Sequence, residues 1–130
     1  MITPSLKAGL AQLRALADFI DIGSGNASFI YYESVKPESV LISADDSTKL
    51  ATLTLPKPCF KRLNEDSIEL KPTNDVLALK TGTVVWARLF NANGDAVADF
   101  EMGTDIILNS YDIVMGATQR LDSIILKPAI

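Results

Sequence analysis

The strongest constraint on the fold lies between residues 83 and 101. There Val84-Val85-Trp86-Ala87-Arg88-Leu89-Phe90 and Asp95-Ala96-Val97-Ala98-Asp99-Phe100 flank Asn91-Ala92-Asn93-Gly94. Both arms are rich in β-branched and aromatic residues, and Asn-Gly tolerates the positive φ that a tight connection needs, so the stretch predicts a β-hairpin. Residues two apart share a strand face, which puts Val84, Trp86, Arg88 and Phe90 on one side and Val85, Ala87 and Leu89 on the other. The first side contains an anomaly, an arginine in a row of large apolar side chains. Arg88 therefore sits at a sheet margin or pairs with Asp99 across the hairpin.

Strand chemistry continues through most of the chain after residue 26. Ala27 to Glu33 and Thr48 to Leu55 predict two strands, the second with Ala51, Leu53 and Leu55 alternating against Thr52 and Thr54. Pro56 and Pro58 then end the ladder or place it at an edge, because proline has no N–H to donate. Ser67 to Leu70 predicts a short strand. Asp105 to Leu108 and Arg120 to Leu126, separated by Gly116-Ala117, are rich in isoleucine and leucine and are expected to complete the core. Ser34 to Ser47, with Pro37, Ser39 and Asp45-Asp46, reads as a surface loop, and Pro72-Thr73-Asn74-Asp75 as a turn.

The first 22 residues have a different period. Leu6, Leu10, Leu13, Ala17 and Ile20 recur at alternating spacings of four and three, Thr3-Pro4-Ser5 offers a cap and Gly23 a stop, so a helix is predicted over 4–22. A stripe this narrow packs on the chain's own sheet or pairs with another subunit's helix, which makes Leu6, Leu10, Leu13 and Ile20 the candidate oligomer interface. The expected architecture is mainly β: an antiparallel β-sandwich, jelly-roll-like or barrel-like, over 27–126, with one N-terminal amphipathic α-helix, all in a single domain 1–130.

Composition narrows the chemistry. With 48% hydrophobic and 22% charged residues the chain has enough apolar surface to fold around a core, unlike disordered sequences. A net charge of -4 with scattered basic residues argues against nucleic-acid binding; Lys57, Lys61 and Arg62, the nearest thing to a basic cluster, read as a solvated loop. There is no histidine, hence no Ser-His or Cys-His pair and none of the commonest metal ligand. The single cysteine, Cys59, lies between Pro58 and Phe60 and reads as a buried packing residue. Gly23-Ser24-Gly25 follows a helix instead of preceding one, so it is a turn and not a phosphate loop. The carboxylates, among them Asp45, Asp46, Glu65, Asp66 and Asp95, lack calcium-loop spacing, and a hydrolase using them would need a perturbed pair in one cleft.

No catalytic, cofactor-binding or metal-binding residue is assigned, no cofactor or small-molecule substrate is expected, and the chain is not expected to be an enzyme. Residues 1–20 lack a basic segment followed by a continuous apolar run, and no apolar stretch approaches the roughly 20 residues that cross a bilayer. No signal peptide and no membrane association are expected, and synthesis in a reducing cytoplasm follows. Tyr31, Tyr32 and Trp86 are candidate surface-recognition residues if their rings face outward. Core filling is the competing role for Trp86, since Val84 and Phe90 share its face.

The run Gly82-Thr83-Val84-Val85-Trp86-Ala87-Arg88-Leu89-Phe90, then Gly94 to Asp99, Met102-Gly103-Thr104, Ile107-Leu108-Asn109-Ser110 and Gly116-Ala117, resembles a pattern of small accessory proteins encoded by tailed bacteriophages and prophages. Tyr31-Tyr32-Glu33, Leu50 to Leu55 and Pro58-x-Phe60 follow the same order upstream. Glu101-Met102 and the short connection from Gly103 to Ile107 depart from it. The resemblance implies a virion component that assembles with other virion proteins and with itself as a homo-oligomer, in the head, neck or tail, and it carries no catalytic residues. The alternative is a carbohydrate-binding or host-surface-binding β-sandwich module using the three aromatics.

Overall fold

Helix α1 spans Leu6–Ile20 in the computed structural model, which describes residues 3–128. The outermost residues of the expected domain, 1–2 and 129–130, lie outside that range. Ser5 caps the helix, its Oγ accepting from the Ala8 N–H at 3.2 Å, which makes the helix slightly shorter than the 4–22 read from its period. Ala17 and Ile20 are fully buried, Leu13 and Leu16 pack beside them, and the helix lies against strands β3 (Phe60–Leu63) and β4 (Ile68–Leu70).

The other strands are β1 (Ser28–Tyr32), β2 (Lys49–Thr54), β5 (Val76–Leu77), β6 (Gly82–Thr83), β7 (Trp86–Phe90), β8 (Ala96–Glu101), β9 (Asp112–Ile113), β10 (Thr118–Gln119) and β11 (Ile124–Leu126). The largest sheet runs β2-β1-β7-β8 and a second runs β11-β4-β3, with every pairing antiparallel. Phe29 and Tyr31 of β1 stand opposite Leu53 and Ala51 of β2 and Leu89 and Ala87 of β7, which sets one apolar face. That face shares a continuous core with Ile68, Leu70 and Ile124 of the second sheet and with Ala17 and Ile20 of the helix. The fold is thus the expected antiparallel, sandwich-like arrangement with an N-terminal helix, and the sheets do not close into a barrel among the described residues.

The β7–β8 hairpin forms as its sequence requires. Asn91 Oδ1 accepts from the N–H groups of Asn93 and Asp95 at 3.1 and 2.8 Å, and Gly94 takes φ +88°. Gly23 answers a different need. An added Cβ there would lie 2.3 Å from the backbone of Ala92 and Asn93, where the helix exit crosses the hairpin turn.

Two expected strands differ. Asp105 to Leu108 is not a strand: 103–105 form a turn, Ile106 makes an isolated bridge to Met102, and 107–108 are irregular; the Glu101 carbonyl accepts from the N–H groups of Asp105 and Ile106 at 2.8 and 3.2 Å, and the Asp105 carboxylate accepts from the Glu101 N–H at 2.9 Å. A glycine with positive φ at 103 and a side chain that bonds the backbone outcompete the ladder, although Ile106 and Leu108 still tuck against the core. In the run Arg120 to Leu126 only Ile124–Leu126 is strand. Thr73 captures Leu121 first, accepting from its N–H at 2.9 Å and donating its own N–H to the Leu121 carbonyl at 3.0 Å.

β5 with β10 and β6 with β9 keep one register, Leu77 opposite Thr118 and Gly82 opposite Ile113, so 76–83 and 112–119 make a single ribbon. It is interrupted by the turn Val114-Met115-Gly116-Ala117, closed by Ala117 N–H to Val114 carbonyl at 2.9 Å with Gly116 at φ +84°, as a type II turn requires. Leu77, Leu79, Val114 and Met115 are exposed along this ribbon.

Candidate functional site

Alternation along the large sheet sends Ile30, Tyr32, Trp86 and Arg88 to the face away from the core. The segment between β1 and β2 folds over that face. Tyr32 and Trp86 stack with ring centroids 4.6 Å apart, and Trp86 Nε1 donates to Ser34 Oγ at 3.3 Å. Burial, with the Asp46 carboxylate adding to it, holds the Tyr32 hydroxyl above its usual range.

Arg88 is the centre of this layer. Its Nε and Nη2 donate to the two carboxylate oxygens of Asp99 at 2.6 and 3.1 Å, the cross-hairpin pair that the register allowed. Nη1 donates to the Ile42 carbonyl at 2.7 Å and Nη2 to the Ser39 carbonyl at 3.4 Å. The guanidinium carbon lies 5.1 Å from the Trp86 ring centre. With the two side chains 3% and 6% exposed, this is a buried ion pair, and the Asp99 hydrogen bonds raise the Arg88 pKa further.

The consequence falls on residues 39–42. The Ile42 N–H donates to the Ser39 carbonyl at 3.1 Å and the Leu41 N–H to Ser39 Oγ at 3.1 Å, closing a turn whose carbonyls point inward to Arg88. Its apolar side chains are left outside, Leu41 at 91% and Ile42 at 50% exposure. The base of the loop is tied by Asp45, which accepts from Ser47 N–H and Oγ at 3.0 and 2.7 Å, and by Thr48 Oγ1 donating to Ser34 Oγ at 3.0 Å. The Ser47 bonds hold the Asp45 carboxyl below its usual range, so it is ionised at neutral pH. A buried cation thus fixes a loop whose apolar side chains Leu41 and Ile42 are exposed.

The aromatic recognition candidates are corrected by this geometry. Tyr31, Tyr32 and Trp86 are at most 1% exposed. Tyr31 belongs to the core face, and Tyr32 and Trp86 lie beneath the loop, because both faces of this part of the sheet are covered. The helix stripe divides. Ile20 is fully buried and Leu13 packs on the chain's own core, so neither is free for another subunit. Leu6 is exposed and Leu10 is half-buried.

Leu10 lines a groove of about 410 Å³ between α1 and β3, together with Lys7, Ala11, Arg14, Phe60 and Leu63. The Arg14 guanidinium stands 3.9 Å over the Phe60 ring centre and pairs with Asp18 at 3.1 Å. Lys61 and Arg62 prove to be strand residues, not a solvated loop, bound to Glu69 at 3.0 and 3.3 Å; the Lys61 bond keeps that carboxyl below its usual range. Cys59 is buried as expected, its thiol pushed up to about 12 by burial with the Asp21 carboxylate adding, the opposite of a nucleophile's setting.

Sequence reasoning passed over the 39–42 turn, although Val40-Leu41-Ile42 is an apolar triplet inside a polar loop. Among the described residues, no helix is long and apolar enough to cross a membrane, and no cluster of three His, Cys, Asp or Glu side chains is placed to hold a metal ion. No family model, curated protein or solved structure matches the chain.

Proposed function

We propose that this chain is a structural accessory protein of a tailed-phage or prophage particle, acting by protein–protein assembly in the head, neck or tail. The observation that carries the reading is the Arg88-clamped loop. A buried ion pair holds the backbone of residues 39–42 so that Leu41 and Ile42 face solvent, a fixed apolar surface that a protein contact would cover. The order of turns and strands from Gly82 to Ala117 supports the phage assignment through its resemblance to small proteins of such particles. Glycan or host-surface recognition by Tyr31, Tyr32 or Trp86 would need one of those rings at the surface, and all three are covered.

The test is to induce the encoding strain, purify particles on a density gradient and quantify the chain in them by mass spectrometry. A fixed copy number per particle, with capsid, portal or tail genes flanking the coding sequence, is expected. Absence from purified particles, or a neighbourhood of metabolic genes, overturns the reading.

A further inference from the structure

The runs 105–108 and 120–126, which their composition marks as strands, do not zip together, and a pocket remains between them. One side is the segment 105–107, pinned by the bonds between Glu101 and Asp105. The other is the stretch 123–126, whose approach is pinned where Thr73 holds both backbone groups of Leu121. Each side is fixed by its own hydrogen bonds, so neither collapses inward, and about 120 Å³ stays open.

The lining changes with depth. Phe29, Leu121 and Ile124, at 2%, 9% and 8% exposure, make the inner end. Phe100 and Ile106 stand beside them, with the Phe29 and Phe100 rings 5.5 Å apart and inclined at 55°. No polar side chain reaches this end, so a water molecule there lacks the two to four side-chain partners that would hold it. At the mouth stand Ile107 and Ile125, 72% and 51% exposed, which carry the apolar lining from the core out to solvent. Asp105 is also at the mouth and is the one charged side chain of the lining among the described residues. Its Oδ2 accepts from the Glu101 N–H at 2.9 Å, which leaves Oδ1 as an acceptor for a group outside the turn.

We infer that this pocket is a ligand site for a small molecule with a single-ring hydrocarbon body and a positively charged, hydrogen-bond-donating head such as a primary amine. The size follows from volume: an apolar cavity of about 150 Å³ takes up benzene, and a pocket of about 120 Å³ open at its mouth holds a ring of that size with its substituent outside. The body lies among Phe29, Phe100 and Ile124, and the head meets Asp105. An anionic head meets that carboxylate as a like charge, so Asp105 sets the sign of the ligand. Because both sides are held by bonds internal to the fold, the site is formed before the ligand arrives. The site is separate from the Arg88-held loop and stands whether or not the protein is a particle component.

The test uses benzylamine and benzoate, the same ring with opposite charges, titrated into the full chain and followed by amide NMR shifts and thermal unfolding. Benzylamine is expected to saturate with a Kd of about 1 mM, to shift the amides of Ile107 and of residues 123–126, and to raise Tm by about 5 °C at ten times Kd. Benzoate is expected to bind at least about tenfold more weakly. Ile107→Trp crowds the mouth from an exposed position and should weaken benzylamine about tenfold with the unliganded Tm unchanged. Asp105→Asn keeps an acceptor for the Glu101 N–H and removes the charge, and should weaken benzylamine about fivefold. Folded protein that shows no saturable benzylamine binding up to about 20 mM overturns the inference. So does benzoate binding as tightly as benzylamine, a set of shifted amides away from the pocket, or either variant binding benzylamine like wild type.

Discussion

Removing Asp99 and replacing the whole Arg88–Asp99 pair should have opposite signatures. In Asp99→Ala the guanidinium loses both carboxylate bonds, at 2.6 and 3.1 Å, and remains buried with only the Ile42 and Ser39 carbonyls as acceptors. Stranding one charge of a buried pair costs about 3–5 kcal/mol. For a chain of this length one kcal/mol corresponds to about 4 °C in Tm, so a loss of about 12–20 °C is expected. Yet the loop keeps its tie, because the two carbonyl bonds survive. In the double variant Arg88→Met with Asp99→Leu, no charge is left buried, and stability should return to within about 2 kcal/mol of wild type. The loop now loses its anchor. Thermal and urea unfolding measure the first effect. The second is read by thermolysin cleavage at Val40-Leu41-Ile42 and by acrylamide quenching of Trp86, the sole tryptophan, which lies beneath the loop. Wild type and Asp99→Ala should resist both below their unfolding transitions, and the double variant should resist neither. A double variant with wild-type protease resistance, or an Asp99→Ala loss under about 1 kcal/mol, would refute the clamp.

Four further outcomes follow from packing and burial. Gly23→Ala forces a Cβ to within 2.3 Å of the Ala92 and Asn93 backbone at φ +133° and should cost about 3 kcal/mol or more, whereas Gly94→Ala, with open space around it at φ +88°, should cost about 1–2 kcal/mol; urea unfolding that ranks them the other way refutes the reading. The Cys59 thiol should react with an aromatic disulfide reagent at pH 8 only after unfolding, and fast native labelling would contradict its burial. Because that thiol is held protonated up to about 12 when folded, against an ordinary value of 9.0, its contribution to stability is complete below pH 9 and declines as pH rises toward 12. A Cys59→Ala variant should therefore show a shallower alkaline loss of stability than wild type. Leu13→Ala should destabilise the monomer by about 2 kcal/mol at its half-buried site, while Leu6→Ala should stay within about 0.5 kcal/mol, since the stripe packs on the chain's own core only toward its C-terminal end.

The hairpin was legible because all its information is local: alternation over five residues, a turn that tolerates positive φ, and a register that places Arg88 opposite Asp99. The helix stripe was legible as a stripe, but Leu6 and Ile20 satisfy the same period, and only the position of β3 and β4 decides which end is covered. The ribbon of 76–83 with 112–119 left no trace at the level of pattern, since its strands are two residues long and their pairing partners are about 30 to 40 residues away. Asp105 to Leu108 misled because apolar composition reports burial and says nothing of whether Asp105 will bond the backbone instead of continuing a ladder.

The loop over Tyr32 and Trp86 belongs to a different case, because the signal for it was present in the hairpin itself. A guanidinium on a face that also carries Trp86 brings five N–H donors into an apolar layer, and a bidentate carboxylate such as Asp99 satisfies only two of them. Buried donors require acceptors, so at least one further segment had to cross this face with its carbonyls turned inward. The 34–47 segment follows β1, the direct neighbour of β7, and runs for long enough to reach across it. Ser39 and Ile42 supply the carbonyls from 49 and 46 residues away in the chain. Once those carbonyls face inward, the geometry of a four-residue turn leaves the side chain of Leu41 facing out. The apolar turn at the surface is thus a consequence of the polar group beneath it, and the arginine that looked out of place in a strand is what fixes the position of the loop above it.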